Sequence, residues 1–159
     1  MLFCLLLIVF VTYNIVILYK FGIPSSLSET SYMWLGYNNR PWYFSLLCIL
    51  MGASIMPLWF EVNNGDFQFL TFIACMCLIF AGASPLFRGG LDKPVHYTSA
   101  MIAMACVIAW FFITRAYTLI VIESGIFIMS LLLNKKNTVY WSECGIIILL
   151  ISQIFFMQT

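Results

Sequence analysis

The chain has 159 residues, of which 64% are hydrophobic and 8% are charged, and its formal net charge is +1. Soluble domains usually carry about 25% charged residues, so this composition excludes a water-soluble globule, and its apolar content also excludes a disordered chain. The lack of a basic excess argues against nucleic acid as a partner. An integral membrane protein is the class that remains.

Charged residues divide the chain into six apolar stretches, each close to the roughly 20 residues that a helix needs to cross a bilayer. The runs are unbroken and far longer than a membrane β-strand, and a helix satisfies its own backbone in lipid, so helices are predicted. We therefore predict an all-α, polytopic six-helix transmembrane bundle that forms a single domain over residues 1–159. Its spans are residues 2–19, 42–60, 68–87, 95–114, 117–133 and 139–157.

The connection between the first two spans has its own helix signals. Ser26 and Glu29 have the spacing of a capping box, in which each side chain binds a free backbone amide at the start of a helix. Gly36 is a typical helix stop. We predict a short interfacial helix over 26–35, with Trp34 at the depth of the lipid headgroups.

Helix-start signals also precede later spans. Asn39-Arg40-Pro41 places a capping residue and a proline before the second span, and Asp92-Lys93-Pro94 does the same before the fourth. Gly65-Asp66 precedes the third. The segment Thr114-Arg115-Ala116 is short enough to predict an antiparallel hairpin of spans four and five.

The basic residues predict the orientation in the membrane. One face of the predicted bundle has Arg115 alone, whereas the connections on the other face carry the remaining six lysines and arginines. Because cytoplasmic loops are enriched in lysine and arginine, we predict that the richer face is cytoplasmic. Both termini are then non-cytoplasmic, in a plasma or inner cell membrane. The six residues are Lys20, Arg40, Arg88, Lys93, Lys135 and Lys136.

Polar residues within the spans concentrate in the predicted cytoplasmic half, and every span contributes at least one. This asymmetry predicts a polar pocket that opens to the cytoplasm. The alternative is that serine and threonine hydroxyls bind carbonyls of their own helices or join neighbouring helices. The residues are Thr12, Asn14, Ser45, Ser84, Thr98, Ser99, Ser130 and Glu143.

Six residues in or near this predicted pocket are candidate ligand-binding groups. Asp92 and His96 are four residues apart on one helix face, where imidazole can relay protons or bind a phosphate, and Arg88 nearby favours an anion. Ser99, Ser130 and Glu143 complete the candidate set. Asp92 as a helix cap, His96 as an interfacial residue, and Glu143 as a partner of Lys135 or Lys136 are the structural alternatives.

Glu123 is a second candidate site, for a proton or an ion. A carboxyl group inside a membrane must pair, protonate or face water, so such a residue is a functional candidate by default. We predict a neutral Glu123 that is hydrogen-bonded to Gln153, at the same depth in the sixth span. Arg115 is the competing partner, and a purely structural contact between Glu123 and Gln153 is the alternative.

No catalytic set, metal site or cofactor is predicted. The six cysteines lie in apolar stretches without the spacing of a zinc site, which favours buried structural cysteines, and the single histidine excludes ligation by two histidines. His96 and Ser99 are neighbours on one helix, but no donors for an oxyanion accompany them.

Short motifs resemble a known membrane family. They are Pro24-Ser25-Ser26-Leu27-Ser28-Glu29-Thr30 after the first span, Pro57 near the end of the second, and His96-Tyr97-Thr98-Ser99-Ala100 in the fourth. Their order is similar to the six-helix family that contains the DRAM autophagy modulators and the GPI-anchor lipid-remodelling proteins. The resemblance implies a six-span bundle that acts in lipid handling or membrane regulation, with no catalytic residues to carry over. That family usually has its N-terminus inside, opposite to the orientation that the charges predict here.

The sequence favours a multi-pass membrane protein that binds a lipid or small amphiphile and is not an enzyme. The alternatives are a proton- or ion-coupled transporter or channel that uses Glu123, and a non-catalytic subunit of a larger membrane complex. Membrane lipid is the predicted partner, together with a second copy of the chain or another membrane protein.

Overall fold

The computed structural model describes residues 2–63, 65–84 and 92–158. In these residues the chain is helical and contains no β-strand, as its sequence predicts. A short 3-10 turn, Lys135–Asn137, precedes the last helix. The helices are α1 (Leu2–Phe21), α2 (Glu29–Asn38), α3 (Trp42–Val62), α4 (Gln68–Ala83), α5 (Asp92–Ile113), α6 (Tyr117–Leu133) and α7 (Thr138–Gln158).

Six of these helices coincide with the six predicted apolar stretches, and their ends differ by a few residues at most where both can be compared. Four of them, α1, α3, α5 and α7, are long and apolar enough to cross a membrane. The other two are shorter, with 16 residues in α4 and 17 in α6. The predicted end of the third span, after Ser84, lies outside the described residues.

Helix α2 is the predicted short helix, displaced by three residues toward the C-terminus. The Ser26 hydroxyl accepts the Glu29 amide at 3.2 Å, as in a capping box, but the Glu29 carboxylate binds the amide of Ser25 rather than that of Ser26. The predicted stop at Gly36 is wrong. The helix continues to Asn38 and ends at Asn39, whose left-handed backbone (φ 57°) is a conformation that asparagine tolerates well.

The expected helix starts before α3 and α4 are also wrong in detail. Asn39 ends α2 instead of capping α3, and Pro41 directly precedes the first residue of α3 without a capping side chain. Phe67 rather than Asp66 precedes α4. The hairpin between α5 and α6 is confirmed, because Arg115 adopts a left-handed conformation (φ 58°) and the Ala116 amide binds the Phe111 carbonyl at 2.8 Å.

Apart from the short α2, consecutive helices run in opposite directions, which sorts the charged residues between the two ends of the bundle. The Asn137 amide at the start of α7 donates to the Pro24 carbonyl just after α1, at 2.8 Å. At the other end, the Gln158 amide donates to the Glu61 carboxylate at 3.2 Å. We call the first the cationic end; it carries Lys20, Arg40, Lys93, Lys135 and Lys136. The opposite end carries Glu61, Asp66 and Arg115.

Helices α3 and α4 pack with their backbones close together. A side chain added at Gly82 would collide with the Cβ atom of Cys48, and one added at Gly52 would lie 3.0 Å from the Cys75 carbonyl. Small residues that permit such an approach are typical of helix contacts in membranes, where packing rather than hydrophobicity holds helices together. Four cysteines, Cys48, Cys75, Cys106 and Cys144, are buried, as predicted, whereas Cys4 is exposed.

A cluster of large aromatic residues fastens α3, α4 and α5 near the opposite end. The Trp59 and Trp110 rings are fully buried and meet edge to face, with centroids 5.1 Å apart. The Trp110 indole N–H donates to the Asn63 side-chain oxygen at 2.7 Å, and the Asn63 amide donates to the Thr71 hydroxyl at 2.7 Å. These bonds satisfy polar groups that would be costly to bury alone.

Candidate functional site

A groove of about 210 Å³ runs between α1 and α3 and stops beneath α2. Its open side faces the surface of the bundle, because Thr12, Leu46 and Leu50 along it are exposed. At a rise of about 1.5 Å per residue, the segment from Val9 to Val16 gives it a length of about 10 Å along α1. The lining residues are Val9, Thr12, Tyr13, Val16, Trp34, Tyr43, Leu46, Leu47 and Leu50.

Two aromatic side chains line the groove at its cationic end. The Trp34 ring lies edge to face against the Tyr43 ring, with centroids 4.8 Å apart, and also against Phe21 at 5.2 Å. Trp34 is buried, so it is packed under its neighbours rather than projecting from the surface. Aromatic residues at one depth near basic residues are typical of the membrane–water interface.

A basic side chain contacts each of these two rings. The Lys20 ammonium lies 5.4 Å from the centroid of the Trp34 ring and 4.6 Å from that of Tyr37, within the range of cation–π attraction. The Arg40 guanidinium donates to the Tyr43 hydroxyl at 3.1 Å. The apolar groove therefore ends at a mouth with two positive charges.

The position of Trp34 depends on a loop that α7 holds in place. We call residues 22–28, which lead into α2, the tethered loop. Asn137 donates to the Ile23 and Pro24 carbonyls, both at 2.8 Å, and the Tyr140 backbone amide donates to the Ser25 carbonyl at 3.1 Å. The 3-10 turn and the first turn of α7 thus bind successive residues of the loop.

Glu143 makes the deepest of these contacts, because its carboxylate accepts the Leu27 amide at 2.7 Å. The predicted partner of this carboxylate, Lys135 or Lys136, is therefore wrong. A backbone N–H of a buried residue needs an acceptor, and this residue, Leu27, is buried. Glu143 lies one turn beyond Tyr140 on α7, where it meets the end of the tethered loop.

Hydrogen bonds also join the tethered loop and α7 to the wall of the groove. The Thr30 hydroxyl donates to the Leu27 carbonyl at 2.5 Å, so the Tyr13 hydroxyl is the donor in its 2.6 Å bond to Thr30. On the next residue of α1, Asn14 accepts the Tyr140 hydroxyl at 2.8 Å. Of the polar residues predicted for a pocket, Asn14 and Glu143 therefore bind neighbouring elements, through Tyr140 and the Leu27 amide respectively.

The other predicted ligand-binding residues that the structure describes, His96, Ser99 and Ser130, do not line this groove. His96 is buried and its Nδ1 donates to the Ala81 carbonyl of α4 at 3.1 Å, while the Ser130 hydroxyl binds the Phe127 carbonyl of its own helix at 2.9 Å. Ser99 is half-buried on α5. Arg88 and the Asp92 side chain lie outside the described part of the chain.

Glu123 has a different partner from the one predicted. Its Oε1 accepts the Ser142 hydroxyl of α7 at 2.6 Å, and its Oε2 is buried with no hydrogen-bond partner among the described residues. A Cβ atom at Gly145 would lie 2.7 Å from this Oε2, so the carboxyl group is packed directly onto the backbone of α7. The predicted bond to Gln153 is wrong, since Ser142 is eleven positions earlier on the same helix. Arg115 is exposed in the hairpin turn.

No sequence signal distinguished the groove. Its walls are mostly apolar residues of apolar helices, and Thr12 is the one residue of the predicted polar pocket among those that line it. The aromatic and basic residues at its mouth marked the region as interfacial. Comparison with protein families, with curated proteins and with solved structures finds no match to this chain. The resemblance to the DRAM and GPI-anchor lipid-remodelling family stays a prediction that depends on its short motifs.

Proposed function

We propose that this chain is a membrane protein that binds a phospholipid, with one acyl chain in the groove between α1 and α3. The observation that carries the proposal is the form of the groove: an apolar channel about 10 Å long that ends beneath two aromatic rings carrying basic side chains. Membrane lipids share this arrangement of an apolar chain and a polar head. Free fatty acids and other amphiphiles are outcomes that the test distinguishes.

The proposal includes the arrangement in the membrane. Helices α1, α3, α4, α5, α6 and α7 each cross the bilayer, α2 lies in the interface, and the cationic end is cytoplasmic. Support comes from the opposite directions of these consecutive helices and from the sorting of basic residues between the two ends. A length of 16 or 17 residues is close to the lower limit of about 17 for a membrane span.

Filling the groove tests the proposal. We expect Thr12→Trp combined with Leu46→Trp to abolish retention of phospholipid by the purified protein, since the two new side chains occupy the space of the acyl chain from both walls. The matched control is Val11→Trp with Ile49→Trp, which places the same bulk at exposed positions on the same helices outside the groove. Native mass spectrometry counts the bound lipids and identifies them by mass.

Equal lipid retention by the filled variant and the control would overturn the proposal. A bound mass that matches a fatty acid or another amphiphile would reject a phospholipid as the occupant. Circular dichroism of both variants checks that a loss of lipid binding is not caused by a loss of helical structure.

A proton-coupled transporter is the second candidate, favoured by one observation. The buried Oε2 of Glu123 lacks a partner among the described residues, which is expensive for a carboxylate and suits a group that gains and loses a proton. This candidate predicts that vesicles containing the protein dissipate a pH gradient and that Glu123→Gln abolishes the flux. Flux that persists in the variant, or wild-type vesicles no leakier than empty ones, would reject it.

A further inference from the structure

Lys20 and Arg40, the two basic residues at the mouth of the groove, can determine which phospholipid headgroup the protein prefers. Inside a bilayer an acyl chain gains little by leaving its neighbours for a protein groove, because lipid tails are as apolar as the groove walls. Selective occupancy must therefore come from close packing and from the headgroup. The headgroup of a lipid seated under Trp34 and Tyr43 lies next to Lys20 and Arg40.

Both cations have unused hydrogen-bonding capacity. Arg40 has five N–H donors, and its bond to Tyr43 uses one of them. Lys20 rests on the Trp34 and Tyr37 rings, a contact that leaves its N–H groups available. Both residues are exposed, and the nearest acidic residue in sequence, Glu29, has its carboxylate on the Ser25 amide.

The same arrangement opposes a choline headgroup. A trimethylammonium group is usually held on aromatic faces, but the Lys20 ammonium already lies over the exposed Tyr37 ring, and the Trp34 ring is buried. A second cation at Arg40 adds repulsion. The phosphate of a lipid whose headgroup has no cationic group is attracted by both Lys20 and Arg40.

We infer that Lys20 and Arg40 select a phospholipid with a net negative charge, binding its phosphate at the mouth of the groove. The inference rests on the proposed function, because it assumes that the acyl chain lies between α1 and α3. Each basic side chain near an anionic membrane lipid contributes a factor of about 5 in affinity, so two give a preference on the order of 25-fold over the zwitterionic lipid.

The test compares phosphatidylglycerol with phosphatidylcholine of identical acyl chains, added in equal amounts to the full-length protein in detergent. We expect native mass spectrometry to show phosphatidylglycerol bound roughly 25-fold more than phosphatidylcholine, and the preference to fall as salt rises. Lys20→Gln combined with Arg40→Gln should bring binding of phosphatidylglycerol down to the level of phosphatidylcholine. The control, Lys135→Gln with Lys136→Gln, removes two exposed cations at the same end and should keep the preference.

Each result supports or overturns one specific claim. Equal binding of the two lipids by wild-type protein overturns the selection of a negative headgroup but leaves the groove in place. A preference that the Lys135 and Lys136 control loses as fully as the Lys20 and Arg40 variant overturns the assignment to the mouth. If the groove-filling variant binds both lipids like wild type, the proposed function itself fails.

Discussion

Replacing Trp110 with alanine is expected to lower the free energy of unfolding by about 3–5 kcal/mol, the largest effect of any single change considered. Trp110 is fully buried, its ring meets Trp59, and its indole N–H satisfies Asn63. Alanine removes the ring that joins α5 to α3 and leaves the Asn63 oxygen without its donor. Denaturant titration in detergent, followed by circular dichroism, measures the loss.

Trp110→Phe separates the two contributions. Phenylalanine keeps most of the buried ring and removes only the N–H donor, so we expect a loss of about 1–3 kcal/mol. Trp141→Ala is the matched control, because Trp141 is exposed. A Trp110→Ala variant as stable as Trp141→Ala would show that this cluster does not fasten the bundle.

Replacing Glu143 with alanine is expected to release the tethered loop and, with it, α2. The Leu27 amide would lose its acceptor while it remains buried, which costs about 1–3 kcal/mol. Because the loop positions α2, and α2 carries Trp34, hydrogen exchange should accelerate over residues 27–38. Mass spectrometry of deuterium uptake measures this change.

Glu143→Gln is the control for charge, since glutamine keeps a side-chain oxygen that can accept the Leu27 amide. We expect it to retain most of the protection in α2. Equal exchange in the glutamine and alanine variants would mean that the negative charge, rather than this hydrogen bond, holds the loop. Unchanged exchange in both would refute the link between α7 and α2.

The sequence was sufficient to predict the helices because each helix is indicated by its own stretch of residues. An apolar run bounded by charged residues specifies a membrane-length helix without knowledge of its neighbours, and the ends of α3 and α6 agree with the predicted spans to within two residues. The distribution of basic residues among the loops can also be read from the sequence without knowing which residues are in contact. Errors began where one backbone conformation decided the boundary, as at Asn39, which ended α2 instead of capping α3.

The site could not be predicted because it depends on which residues meet. Glu143 and Leu27 are 116 positions apart, and nothing in either local sequence indicates that a carboxylate accepts that amide. For Glu123, equal depth in straight antiparallel helices suggested Gln153, but the helices approach at Gly145, which brings the carboxyl group to Ser142. The sequence indicated Glu123 and Glu143 as acidic residues within apolar helices, but it did not indicate their partners.

The most direct test of lipid binding between α1 and α3 is photocrosslinking with a phospholipid that carries a diazirine on one acyl chain. After irradiation in vesicles and digestion, we expect the label to concentrate in Val9–Val16 and in residues 43–50. Phe127 and Ile128 of α6, which are exposed, lie outside the groove and are as far from the cationic end as part of it, provide the internal reference. Labelling that is as strong on α6 as on α1 and α3 would mean that lipid merely surrounds the bundle, and would contradict a binding groove.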